Sequence, residues 1–234
     1  MTWLTAQLPM VERYDPATNA WEAVTPLADA RYAHGMAVLD GKLYAVGGQD
    51  ADYHALSSVE RYDPAVGAWE EVAPMTTARE SHAVAALDGK LYAVGGHNHD
   101  DGSLSSVERY DPWTDAWEAV APMATARDSH ATVVVDGKLY AVGGCNDDDG
   151  FLSSVERYDP ATNAWEAVAP IVTARCNFAM AVLDGKLHAV GGYNGDDRRE
   201  EPLSSVERYD PAVGAWEAVA PMAAVRIKAF AVLM

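Results

Sequence analysis

The chain has 234 residues, 49% of them hydrophobic, and a formal charge of −18, so it can bury a sizeable core, and a surface this acidic argues against nucleic acid and anionic membrane as partners. Cys145 and Cys176 are too few for a disulfide framework, the first ten residues show no secretory pattern, and no apolar run approaches the ~18 residues of a membrane span. The expectation is one soluble, cytoplasmic domain over residues 1–234, with a basic or neutral protein segment as its better electrostatic match.

Past residues 1–8 comes Val11-Glu12-Arg13-Tyr14-Asp15-Pro16, where Val and Tyr bracket polar residues as in a short strand with one buried face. The hexapeptide returns at 59–64, 107–112, 155–160 and 206–211. Asp15 and Pro16 open a turn that Asn19 closes, and Gly67, Asp115, Asn163 and Gly214 close its later copies. All are residue types that tolerate left-handed backbone, so a hairpin is predicted. Its second strand opens on Trp21, then on Trp69, Trp117, Trp165 and Trp216. An indole at a fixed place in every unit is expected to pack rather than react.

A Pro26-containing connector leads to Arg31, and residues 34–39 are small and apolar, as suits a strand covered on both faces. Asp40-Gly41 predicts a type I′ turn, 43–46 the returning strand, and Gly47-Gly48 its end. Residues 41–48 recur letter for letter at 89–96 and 137–144, and with His188 in place of Tyr at 185–192. Each period is therefore four short antiparallel strands. One such sheet cannot cover its own Tyr and Trp, so it stacks on its neighbours, and sheet twist bends the stack around an axis. An all-β fold, a β-propeller, is predicted.

Paired glycines, then the Tyr of VERYDP, then a Trp, in antiparallel units of about 50 residues, resemble the kelch repeat family over nearly the whole chain. The units are unusually alike, which recent duplication and consensus design would both explain. Five Trp units alternate with four glycine pairs, so the chain enters midway through one blade and leaves midway through another. Five four-stranded blades are expected, closed by pairing of the N- and C-terminal segments, with residues 3–6 as candidate for the closing blade's second strand. An incomplete or dimer-completed six-bladed ring is the alternative.

Two loops differ between otherwise identical units, the pattern of a binding surface on a fixed scaffold. In kelch proteins that recruit substrates, the positions directly after the glycines and two after the recurring Arg meet a bound peptide. The resemblance thus implies Gln49, His97, Cys145 and Tyr193 after the glycines. After the Arg it implies Ala33, Ser81, Ser129, Asn177 and Lys228. The same variable loops add Tyr32, Glu80, Asp128 and Cys176 on one side and Tyr53, Asn98, Asn146 and Asn194 on the other. Only Lys228 is basic among the positions implied, and Glu80 and Asp128 lie alongside, so an acidic peptide fits poorly.

Structural readings compete with several of these motifs. Arg31, Arg79, Arg127, Arg175 and Arg226 recur in every unit, as for partners of the recurring Glu of VERYDP. His34, His82 and His130 give way to Phe178 and Ala229, which suits packing and not a metal. The aspartate runs match no calcium-loop spacing and read as solvated turns. For Cys145 and Cys176, free thiols, an oxidative bridge and a metal shared with His97 or His99 all stay open. No nucleophile–base pair, phosphate-cradling loop or zinc pattern occurs. The copper-oxidase type of kelch propeller would need Tyr, His and Cys at spacings this chain lacks. The expected function is a protein-interaction module without cofactor or catalysis, serving a ubiquitin-ligase assembly if it belongs to a longer protein. The alternatives are a designed scaffold without natural ligand and a metal-dependent enzyme.

Overall fold

The computed structural model describes residues 9–196 and 199–227. Among them every regular element is a β-strand. Four sheets repeat one plan. Blade one is Gly35–Leu39, Lys42–Val46, Val59–Asp63 and Ala68–Val72, paired antiparallel in that order. Blades two, three and four start at Ala83–Leu87, Ala131–Val135 and Ala179–Leu183 and follow the same order. A fifth unit is the hairpin Val11–Asp15 with Ala20–Val24.

The turn chemistry is as the residues dictate. Asn19, Asp115 and Asn163 close their hairpins at φ of 53°, 49° and 49°, where Gly67 and Gly214 take 73° and 72°. Asp40 and Gly41 are both left-handed, at 50° and 74°, which makes the tight connection a type I′ turn. The glycine pair is required for a different reason. A Cβ on Gly96 would stand 2.7 Å from the Glu80 carbonyl oxygen, and on Gly95 it would stand 2.4 Å from that of Arg127. These glycines let successive blades touch through their backbones.

The core lies between sheets. Tyr44, Val46 and Val59 of blade one pack against Leu91, Ala93 and Tyr110 of blade two, and two equivalent layers join blades two to three and three to four. The first strand of each blade lies innermost, beside the first strand of the next. Burying about five large side chains per interface at ~1.5–3 kcal/mol each makes this stacking the main stabilising term. Four of the recurring indoles span the joint. Trp69, Trp117, Trp165 and Trp216 donate Nε1–H to the carbonyls of Thr25, Ala73, Ala121 and Ala169 of the preceding unit, at 2.9–3.0 Å.

The recurring Arg clamps its blade. Arg79 Nη1 donates to the Gly95 and Ser106 carbonyls, and its Nη2 to Ser106 Oγ and, at 2.8 Å, to Glu108 Oε1. Arg31, Arg127 and Arg175 repeat the arrangement with Glu60, Glu156 and Glu207.

Two expectations are corrected at the fifth unit. Trp21 is 68% exposed instead of packed, and Arg226 is exposed, donating to the Val225 carbonyl with no recurring Glu beside it among the described residues. The inner strand of blade one is likewise uncovered on the same side, with Met36 and Val38 exposed. The physical reason is shared: these faces are covered by the preceding unit elsewhere in the chain, and among the described residues Trp21 makes no such bond and only a hairpin precedes blade one. The expected closure by terminal strands, residues 3–6 included, lies outside the described residues.

Candidate binding surface at the channel mouth

The two variable loops meet in the structure. The residue after each Arg forms a reciprocal backbone pair with the residue after the glycines: Tyr32 with Gln49, Glu80 with His97, Asp128 with Cys145, and Cys176 with Tyr193. The positions two after the Arg form an inner belt. Ser81 N–H donates to the Ala33 carbonyl at 2.8 Å, Ser129 to Ser81 at 2.8 Å, and Asn177 to Ser129 at 2.9 Å. All four sit at φ of 49–51°, so the belt carries non-glycine side chains on left-handed backbone. Lys228, the fifth of this series, lies outside the described residues.

The arms beyond the glycines are more ordered than solvated turns. His97–Asn98 pairs with Gly102–Ser103, Cys145–Asn146 with Gly150–Phe151, and Tyr193–Asp196 with Arg199–Pro202. Asn98 and Asn146 hold these arms, which occupies their side chains. Asn98 Nδ2 donates to the Ala78 carbonyl while its Oδ1 accepts from the N–H groups of Asp100 and Asp101, and Asn146 donates to Ala126 and accepts from Asp149. Asn194 Oδ1 accepts from Gly195 N–H. The buried Gln49 donates to the Tyr53 carbonyl. Those four therefore shape the loops.

The side chains left to meet a partner are chemically mixed. Tyr32 and Tyr53 stand edge to face with centroids 6.4 Å apart, both exposed. Glu80 Oε1 lies 3.7 Å from His97 Nδ1, and burial raises the carboxyl's pKa while His97 lowers it in part. Asp128 accepts from Ser103 Oγ at 3.0 Å and from Cys145 Sγ at 3.3 Å. Ser103 also donates to Asp147, which ties blade two's arm to blade three's. Neither Ser103 nor Asp147 stood out as a site residue in the sequence. The available signal was that the position varies, as Ala55, Ser103, Phe151 and Pro202. A shallow groove between the first two arms is lined by His54, Ala55, Asn98, His99 and Asp100.

Cys145 and Cys176 form no disulfide and are hydrogen-bonded neighbours, and the Cys176 sulfur followed by burial pushes the Cys145 pKa up. Such a thiol is a poor nucleophile at neutral pH. His82 and His130 are buried behind the mouth and neutral, with burial pushing His82 down to about 3. No group of three or more metal-ligating side chains forms among the described residues.

Comparison with known proteins follows the same lines. The family model of the KLHDC2/KLHL20/DRC7 Kelch-repeats domain matches residues 6–192, and that of the Kelch motif matches residues 174–223. Kelch-like protein 1 of Mus musculus is 54% identical over 43 residues, 18% of this chain and 6% of that protein. Kelch-like protein 5 of Homo sapiens is 52% identical over 48 residues, 20% of this chain and 6% of that protein. Kelch-like ECH-associated protein 1A of Danio rerio is 46% identical over 41 residues, 18% of this chain and 7% of that protein. The chain thus spans less than a tenth of the length of these relatives. The solved structure of YjhT superposes with a TM-score of 0.80 at 14% identity, covering 96% of this chain and 80% of that one. At that identity the likeness concerns the fold.

Proposed function

Because this chain belongs to the kelch repeat family, we propose that it is a protein-interaction module seating a peptide or loop of a partner protein over the mouth of its propeller. One observation carries the reading. Four backbone pairs of identical geometry present Tyr/Gln, Glu/His, Asp/Cys and Cys/Tyr, so the scaffold is held constant where the side chains differ. Exposed aromatics beside half-buried carboxylates suit a segment with one apolar anchor and a basic or neutral flank. Within a longer kelch-like protein the same surface would select what is recruited to a ubiquitin-ligase assembly.

Capture from a lysate by the full chain, compared with a Glu80→Ala/Tyr193→Ala variant and read by mass spectrometry, tests this. The expected result is a partner retained by the first and lost by the second, with melting temperatures nearly equal. Loss of fold together with binding, or retention by both, overturns it. The near-identity of the units favours a second reading, a consensus scaffold without natural ligand, under which the full chain retains nothing specific.

A further inference from the structure

Among the described residues the fifth unit shows a strand edge that the other four blades fill. In blades one to four the VERYD strand lies between two partners: Trp-bearing AWEAV or AWEEV on one side, and Lys-Leu-Tyr-Ala-Val, or Lys-Leu-His-Ala-Val in blade four, on the other. Among the described residues Val11–Asp15 pairs with Ala20–Val24 alone.

Four further observations fall on the same edge. Tyr14 is 43% exposed, against 0% for Tyr110 and Tyr158 at the equivalent place. Glu12 is exposed, whereas Glu60, Glu108, Glu156 and Glu207 are buried beneath their Arg. Asp63, Asp111, Asp159 and Asp210 each hold the strand's lysine, at 2.6–2.9 Å, besides accepting from their own turn, whereas Asp15 keeps the turn bond to Ala17 and has no lysine beside it among the described residues. Among the described residues Arg226 has no glycine carbonyl on its guanidinium, where Arg79 has that of Gly95.

We infer that the outer edge of Val11–Asp15 is a docking site for an extended segment carrying the repeat's own Lys-Leu-Tyr-Ala-Val-Gly-Gly pattern, added as an antiparallel strand. The register follows from the other blades, where Leu43 faces Tyr62, Tyr44 faces Arg61, Ala45 faces Glu60 and Val46 faces Val59. The docked Leu therefore faces Tyr14, the Tyr faces Arg13, the Ala faces Glu12 and the Val faces Val11. Its lysine reaches Asp15, and the first glycine carbonyl accepts from Arg226. Charge agrees as well, since the segment brings one cation to a chain of formal charge −18. A second copy cannot supply this strand without opening one of its own blades, because Tyr44, Tyr92 and Tyr140 are each 1–2% exposed where they sit. This site is separate from the mouth and stands whether or not the mouth binds a partner.

The test uses the full chain and the peptide acetyl-Gly-Lys-Leu-Tyr-Ala-Val-Gly-Gly-amide, with a fluorescein-labelled form for anisotropy and the unlabelled form for hydrogen exchange. Saturable binding is expected, together with slowed amide exchange confined to residues 11–15 and their contacts. Proline in place of the peptide's Ala removes a ladder donor and abolishes binding. Asp15→Asn weakens the lysine peptide about two- to fivefold and leaves a glutamine peptide unchanged. Any of three results overturns the inference: no slowing at 11–15 under saturating peptide, equal binding of the proline peptide, or an edge already protected without peptide. The last would mean that another part of the chain, or a second copy paired edge to edge, occupies it.

Discussion

Removing one buried guanidinium should separate the two environments that a single repeat position occupies. Arg79 is 0% exposed and makes four hydrogen bonds, two to carbonyls, one to Ser106 Oγ and one to the Glu108 carboxylate. Arg79→Ala leaves Glu108 charged and buried. Breaking such a pair from one side costs about 3–5 kcal/mol. Glu108 keeps the Thr76 and Thr77 N–H groups at 2.7 and 2.9 Å, which places the loss toward the lower end. A loss of about 3–4 kcal/mol lowers the melting temperature by roughly 6–16 °C in a chain of this size. Arg226→Ala, at the same repeat position but exposed, should stay within about 0.5 kcal/mol. Urea midpoints by circular dichroism measure both, and Arg79→Ala combined with Glu108→Gln completes a cycle whose coupling should exceed about 1 kcal/mol. Equal losses for Arg79 and Arg226, or a loss under about 1 kcal/mol at Arg79, would refute the assignment of the clamp.

Three other outcomes are expected. His82 stays neutral in the fold down to about pH 3, whereas the unfolded chain takes its proton near pH 6.5, so stability is full above that pH and falls as pH drops below it. The slope from this group grows from about 0.7 kcal/mol per pH unit at pH 6.5 towards about 1.4 near pH 5, and His82→Phe, the residue found at Phe178, should remove that share in urea titrations; an unchanged slope would assign the loss elsewhere. Gly89→Ala has open space and should cost about 1 kcal/mol for its backbone, whereas Gly96→Ala runs into the Glu80 carbonyl and should cost more than about 3 kcal/mol, so comparable melting temperatures would contradict the close approach. Trp165→Phe forfeits the bond to Ala121 and should cost about 1 kcal/mol by denaturant midpoint, while Trp21→Phe should cost almost nothing; a larger effect at Trp21 would show that its face is covered in solution.

Strand order, hairpin turns and the stacking of sheets were all legible from the sequence by itself, because each depends on neighbours close along the chain. Asp40-Gly41 can satisfy its geometry in few other ways, and five residues of alternating polarity have one face to hide. The variable loops were legible as differences between copies. Their meeting as Glu80 with His97 or Asp128 with Cys145 was not, since it depends on how far one blade's connector reaches toward its own second strand. Nor could the sequence tell that Asn98 and Asn146 spend their side chains on the backbone, or that Arg31 is buried while Arg226 is exposed. Identical letters acquire different physics here because desolvation is set by the adjacent sheet, and only the tertiary structure says which sheets have a neighbour.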